Sequence, residues 1–405
     1  MHPQGRQLTG VGPAPCPKAG KGGEGELRFA APEEVGLSPA LTRDLDEVLR
    51  EAVAGEGVPG AAALVLKQGA VVYLGARGER RSADVRHPLH RDTIFDIASL
   101  TKMVATNTAI QILRDEDKLS LDDPLARFFP ELRNTDKGQI TVLHLLTHTS
   151  GLHKWQPWFR ELTGKEAYLR AIAALPLEAE IGARCAYSDL GFILLGLLVE
   201  RIAGVGLDEF ARRRIFQPLG MKDTCFVPAP EARRRCAATE DCPWRKRIIQ
   251  GEVHDENAFA MGGVAGHAGL FSTALDLARF AQLLLDGGEH AGIRILREET
   301  VRQLNVPPLP EVAPACGLGW WLDTGQRGWR WLVSDGAFGH TGFTGTSLWI
   351  DPGQRVASIL LTNAIHPRRE GSRADALRRA FHVVLRDHLL ARGPAPDAAA
   401  GNSGP

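Results

Sequence analysis

Ser99 and Lys102 stand three residues apart in the run Ser99-Leu100-Thr101-Lys102, a spacing that brings a hydroxyl and an amine onto one face of a helical turn. A serine hydroxyl attacks poorly until a base takes its proton, and a lysine can be that base when burial or a cationic neighbour lowers its pKa. The Ser99 amide, at a helix amino terminus, is also placed to help bind an oxyanion. Four residues alone read more simply as an exposed helix start, so the rest of the chain has to decide. Two further groups follow in order, Tyr187-Ser188-Asp189 and His340-Thr341-Gly342. A tyrosine with an ordinary pKa of ~10 becomes a useful base only when its phenolate is stabilised, and an adjacent Lys102 ammonium is a sufficient cause.

In type and order these elements resemble the Ser-x-x-Lys, Tyr-x-Asn and Lys-Thr-Gly motifs of the serine β-lactamase and penicillin-binding-protein superfamily, and the tyrosine points to its class C-like branch. The likeness continues through Ile94-Phe95-Asp96-Ile97-Ala98, Leu145 to Leu152, Tyr187 to Gly196 and Gly339 to Asp351, which takes in nearly the whole folded region. The resemblance implies that Ser99 is the acylated nucleophile, that Lys102 shares its proton, and that Tyr187 is the second acid or base. Which of Lys102 and Tyr187 takes the first proton stays open. It also implies an oxyanion hole of two backbone amides, those of Ser99 and Phe343, with Thr341 and Gly342 on the substrate-binding strand.

Two departures from that pattern carry chemistry. Asp189 stands where an Asn is usual and is an acceptor-only anion that can pair with Lys102, hold it protonated and so favour Tyr187 as the base. His340 replaces the lysine of Lys-Thr-Gly, so a permanent cation for a substrate carboxylate becomes one that titrates near neutral pH. This counts against efficient β-lactam hydrolysis and leaves esterase or muropeptide chemistry intact.

A loop from Gly251 to Ala258 and the glycine-rich Gly262 to Thr273 read as a cleft lining, similar to a stretch in cell-wall hydrolases of the same superfamily. Within it His254, Asp255 and His267 are either substrate contacts or partners in loop hydrogen bonds, and His254 is taken as the substrate-binding candidate. No zinc signature matches their spacing, so neither a metal nor a cofactor is expected. His144 and His148 read as capping and core residues, and Trp155, Trp158, Trp320 and Trp321 as core. The six cysteines lack a CxxC and are expected to be free thiols, with a local Cys236–Cys242 pair as the alternative.

The elements that must position these groups follow from periodicity. Leu41, Leu45, Val48 and Leu49 mark a helix, and the β-rich runs 61–66 and 71–74 form a hairpin through Gln68-Gly69. A helix starts at Ser99. The middle of the chain is mostly helical, with periods at 142–146, 167–175, 192–203 and 275–285. Strands are expected at 318–322, 346–350 and 356–361, the last two joined at Asp351-Pro352-Gly353, before a final helix at 374–390. Strands at both ends around a helical middle give an α/β (α+β) fold: one antiparallel sheet built from both termini and flanked by helices, with an inserted helical lobe and a cleft between. The lobes are drawn at 27–115 with 286–392, and at 116–285. Residues 1–26 and 393–405 read as disordered tails.

Lys plus Arg and Asp plus Glu are both 48, so no net field favours nucleic acid. No apolar run approaches the ~20 residues of a membrane span, and the amino terminus lacks a signal sequence. A cytoplasmic protein is expected as written, or a periplasmic or extracellular one if the true start lies upstream. The function expected is acyl transfer to water from a small ester or amide, with a muropeptide or β-lactam as substrate. A broad carboxylesterase and a non-catalytic penicillin-binding sensor are the alternatives. Oligomeric state is not readable.

Overall fold

The computed structural model describes residues 27–54, 57–81, 87–325 and 330–391, and the tails expected at 1–26 and 393–405 lie outside them. Its centre is an eight-stranded sheet. In spatial order the strands are Arg28–Phe29, Ala70–Arg81, Gly60–Lys67, Val356–Thr362, Ser347–Asp351, Phe338–Thr341 and Trp321–Leu322, with His87–Pro88 paired to Ala70–Arg81. The amino- and carboxy-terminal strands meet at Gly60–Lys67 and Val356–Thr362, where Leu64 faces Ile359. All pairings are antiparallel except that of the short Arg28–Phe29, which runs parallel to Ala70–Arg81.

Both faces of this sheet are covered, which is why Gly60–Lys67 is buried along its whole length. Ala61, Ala63 and Val65 enter one core with Leu41, Leu45 and Leu49 of the Ala40–Ala52 helix and Leu377 and Phe381 of the Ala374–Leu390 helix. Ala62, Leu64 and Leu66 enter the other, with Phe280 and Leu277 of the Ala274–Leu285 helix and the helical lobe beyond. The hairpin turn places Gln68 and Gly69 at φ 49° and 79°, the left-handed pair that suits strand twist.

The helix that follows Ser99 packs against the Asp189–Ala203 helix, and the Ala274–Leu285 helix lies on the sheet strands Gly60–Lys67 and Val356–Thr362. Periodicity marks a helix but not the partner that covers its apolar stripe. The strand expected at 318–322 shrinks to Trp321–Leu322 because Gly319, at φ 83°, turns the chain out of the extended region. A small second sheet joins Phe95–Asp96, Leu270–Ser272 and Cys225–Phe226 and fixes the segment just ahead of Ser99. Among the described residues, no single helix is long and apolar enough to cross a membrane, and Cys236 and Cys242 do not form a disulfide with each other.

Candidate active site

The serine is set by a strained turn. Ala98 has φ 47°, a left-handed conformation costly for a residue with a Cβ. It is held by the buried Asp96, whose Oδ1 accepts from the Ala98 N–H at 2.8 Å while Oδ2 accepts from the His254 N–H at 2.7 Å. Burial pushes the Asp96 carboxyl above the usual range. Ser99 follows at the start of its helix, and Lys102 lies one turn on, at the head of a π-helical stretch, Lys102–Asn107, a local widening that is frequent at functional sites.

Lys102 is fully buried, and its three N–H groups are all used. Nζ donates to Ser99 Oγ at 3.0 Å, to the His267 carbonyl at 2.9 Å, and pairs with Asp189 Oδ1 at 2.7 Å. Burial alone would lower its pKa, but the Asp189 carboxylate and the Tyr187 hydroxyl more than offset this and hold it above the ordinary lysine value. Tyr187 Oη donates to Ser99 Oγ at 2.8 Å. Burial raises the phenol's pKa, and Asp189 adds to that against the opposing pull of Lys102. The resting site is therefore an ammonium and a neutral phenol converging on one hydroxyl.

Tyr187 is clamped by residues that sequence reading assigned to packing. His148, itself at φ 57°, accepts the Ala186 N–H on its carbonyl at 2.8 Å and the Ser188 N–H on Nδ1 at 3.2 Å, and its ring lies 4.8 Å from that of Tyr187. The Asp189 N–H goes to the Lys154 carbonyl at 2.9 Å, while Ser188 Oγ caps the following helix by accepting from Gly191. The stretch around His148-Thr149-Ser150-Gly151 thus positions the phenol. Its signal lay in the quoted similarity of Leu145 to Leu152, but no spacing rule connects it to Tyr187.

These groups open into a cleft of about 1080 Å³ whose wall includes Trp155, Trp321, Thr341, Phe343, Glu256 and Arg369. Of the four tryptophans expected in the core, Trp320 is there, Trp158 packs edge-on to Tyr168, and Trp155 and Trp321 line the cleft. His340 lines it as well, but buried in a ring stack with Trp321 at 6.2 Å and Tyr187 at 6.0 Å, its Nδ1 on the Thr341 carbonyl at 2.7 Å. That places it as a wall of the cleft rather than as a cation reaching into it. Gly342 has to be glycine, because a Cβ there would come within 2.2 Å of Thr346 Oγ1 and 2.6 Å of the Ile97 carbonyl.

Among the described residues, no protein acceptor takes the backbone N–H of Ser99 or of Phe343. The two segments are riveted together: Thr344 Oγ1 donates to the Asp96 carbonyl at 2.8 Å and Thr346 Oγ1 to the Ile97 carbonyl at 3.2 Å. Two free amides on tied segments beside a hydroxyl form the kind of pocket that holds a developing oxyanion.

The wall next to Phe343 is charged. His254 Nε2 lies 2.9 Å from Glu240, and its ring stacks on Phe343 at 5.6 Å. Arg369 binds Glu240 and Glu256 at 2.6 and 2.7 Å. Burial would raise the Glu240 carboxyl, but hydrogen bonds from Arg369 and His254 bring it down to about 2. His254 lines the cleft as well, with its ring against that of Phe343. Asp255 meets His267 at 2.9 Å, and pairing holds its carboxyl well below the usual range despite burial. Among the described residues, no group of three or more His, Cys, Asp or Glu side chains is arranged to hold a metal.

Residues 45–382 match the beta-lactamase family profile. The N-acetylmuramyl-L-alanine amidase of Bacillus subtilis (strain 168) is 32% identical over 378 residues, covering 84% of this chain and 85% of that protein. A penicillin-binding protein homologue from Caulobacter crescentus superposes with a TM-score of 0.70 at 22% identity, covering 87% of this chain and 99% of that one. EstCE1, a hydrolase with promiscuous acyltransferase activity, gives 0.68 at 24% identity over 85% and 98%. The two structures show the shared fold, and the profile and the amidase show kinship: this chain belongs to the beta-lactamase family.

Proposed function

We propose that the protein is a serine hydrolase that cleaves a small amide or ester through an acyl-enzyme on Ser99, with an N-acetylmuramyl-peptide amide as its natural substrate. The observation that carries the reading is the convergence of Lys102 Nζ and Tyr187 Oη on Ser99 Oγ at 3.0 and 2.8 Å. Because Asp189 holds Lys102 protonated, the ammonium has no lone pair for the serine proton, and Tyr187 is the base. The phenol first gives its proton to solvent water in the open cleft, and the phenolate, stabilised by Lys102, then accepts the Ser99 proton as Oγ bonds to the carbonyl carbon. The carbonyl oxygen takes the negative charge into the amides of Ser99 and Phe343. Tyr187 then returns the proton to the leaving nitrogen or oxygen as that bond breaks, and water repeats the cycle to free the acid.

The muropeptide assignment rests on the amidase relative and on a cleft of about 1080 Å³, more room than a simple ester needs. A second reading, a carboxylesterase, is favoured by the withdrawal of His340 into its ring stack, which removes a cation for a substrate carboxylate. A fluorophosphonate or a fluorescent penicillin should label the wild type at Ser99 and leave Ser99→Ala unlabelled, and a labelled Ser99→Ala protein would overturn the nucleophile. Turnover of p-nitrophenyl esters without release of peptide from N-acetylmuramyl-peptides would move the assignment to the esterase.

A further inference from the structure

Arg378, on the first turns of the Ala374–Leu390 helix, points a nearly buried guanidinium at the back of the loop that carries Phe343. Its Nη2 donates to the Gly342 carbonyl at 2.7 Å and to the Thr346 carbonyl at 2.9 Å, while Nη1 pairs with Asp375 at 2.6 Å. The same two carbonyls close the loop on itself, taking the Gly345 N–H at 3.0 Å and the Gly342 N–H at 2.7 Å. The Gly342 C=O and the Phe343 N–H are the two ends of one planar peptide group. Whatever holds that oxygen fixes the direction of that N–H, and a cation on the oxygen draws electron density from the nitrogen and makes its hydrogen a stronger donor.

We infer that Arg378 is a positioning residue for the hydrolysis, acting through the 342–343 peptide to aim and strengthen the second oxyanion donor. This rests on the reading that the Ser99 and Phe343 amides receive the oxyanion. The chain of contacts is continuous: guanidinium, Gly342 carbonyl, Phe343 amide, substrate oxygen. A lysine does not reproduce it, because a single ammonium on a shorter stem lacks the fork that binds Asp375 through one nitrogen and the two carbonyls through the other. The other half of the hole is built differently. There the Ala98 carbonyl, sharing its peptide with the Ser99 N–H, accepts the neutral Thr101 N–H at 3.0 Å, so among the described residues the charge assistance falls on the Phe343 side.

The test measures p-nitrophenyl ester turnover, and the infrared carbonyl stretch of a stable acyl-enzyme, in wild type, Arg378→Gln and Arg378→Lys. In Arg378→Gln, kcat should fall about 10- to 100-fold, less than the ~10²–10³ caused by removing an oxyanion donor outright, with KM little changed. The acyl carbonyl should absorb at higher wavenumber because it is less polarised. Guanidinium added to Arg378→Ala should restore part of the rate. If Arg378→Gln folds poorly, Arg378→Lys keeps the buried cation and should show the same spectral shift. Unchanged kcat, or a lost rate with an unmoved carbonyl stretch, would reduce Arg378 to a packing role. Turnover that survives in Ser99→Ala would instead overturn the acyl-enzyme reading beneath it.

Discussion

Lys102, buried behind Ser99, and Arg369, on the cleft wall, are both cations bound to carboxylates, yet the first has 0% of its side chain exposed and the second 32%. Burial decides what each pair does. The Lys102–Asp189 pair has lost its water, so its charges act strongly on Ser99 and Tyr187, and removing one partner strands the other. Arg369 keeps part of its hydration while binding Glu240 and Glu256, so its field is screened and its work is to hold the wall behind Phe343. On the proposed mechanism, similar ion pairs thus serve proton transfer in one place and cleft shape in the other.

The largest effect should separate the two regions at once. Tyr187→Phe should lower kcat/KM by on the order of 10³-fold with little change in melting temperature, whereas Arg369→Gln should leave kcat within about tenfold. Comparable losses in steady-state assays of the two would erase the distinction.

Asp189→Asn sharpens the buried side. It should destabilise the fold by about 3 kcal/mol in urea titration, the scale for leaving a buried charge unpaired. It should also shift the pH profile. The carboxylate raises the pKa of both Lys102 and Tyr187, so the ascending limb of kcat/KM should lie above neutrality in the wild type and move to lower pH in the variant. A limb that stays in place or moves upward would exclude both residues as the base.

Glu240 tests the wall. Its carboxyl is lowered from 4.5 to about 2, so its stabilising contribution, on the order of 3 kcal/mol, is present above pH ~4.5 and is lost as the pH falls toward about 2. Acid unfolding of Glu240→Gln should be flatter than that of the wild type across that interval, and parallel curves would refute the pairing. The smallest expected difference is in salt. High ionic strength should shrink the stability loss of Arg369→Gln, whose guanidinium is partly exposed, and leave that of Asp189→Asn unchanged, both read by thermal melts.

Much of this was legible along the chain. The helices with clean apolar stripes, such as 41–49 and 374–390, fall where periodicity places them, and the Gln68-Gly69 and Asp351-Pro352-Gly353 turns join the strands expected on either side. The β-lactamase-like fold follows from the order of the motifs and is the fold found. The supports of the site were not legible. Asp96, His148 and Arg378 each act through backbone groups far along the chain, and a side chain that binds a distant carbonyl or amide leaves no periodic trace.

The sequence by itself determined which chemical groups exist and in what order: a serine and a lysine one turn apart, a tyrosine with a neighbouring carboxylate, and a glycine where a strand must pass close to Thr346. Those properties are local, set by spacing along a helix or by the volume of one side chain. Only the tertiary structure decided that Asp189 meets Lys102, that His340 is stacked into a wall, and that Arg378 reaches the peptide before Phe343. Each of these depends on how separate elements pack, and packing is settled by the whole core rather than by any stretch of chain.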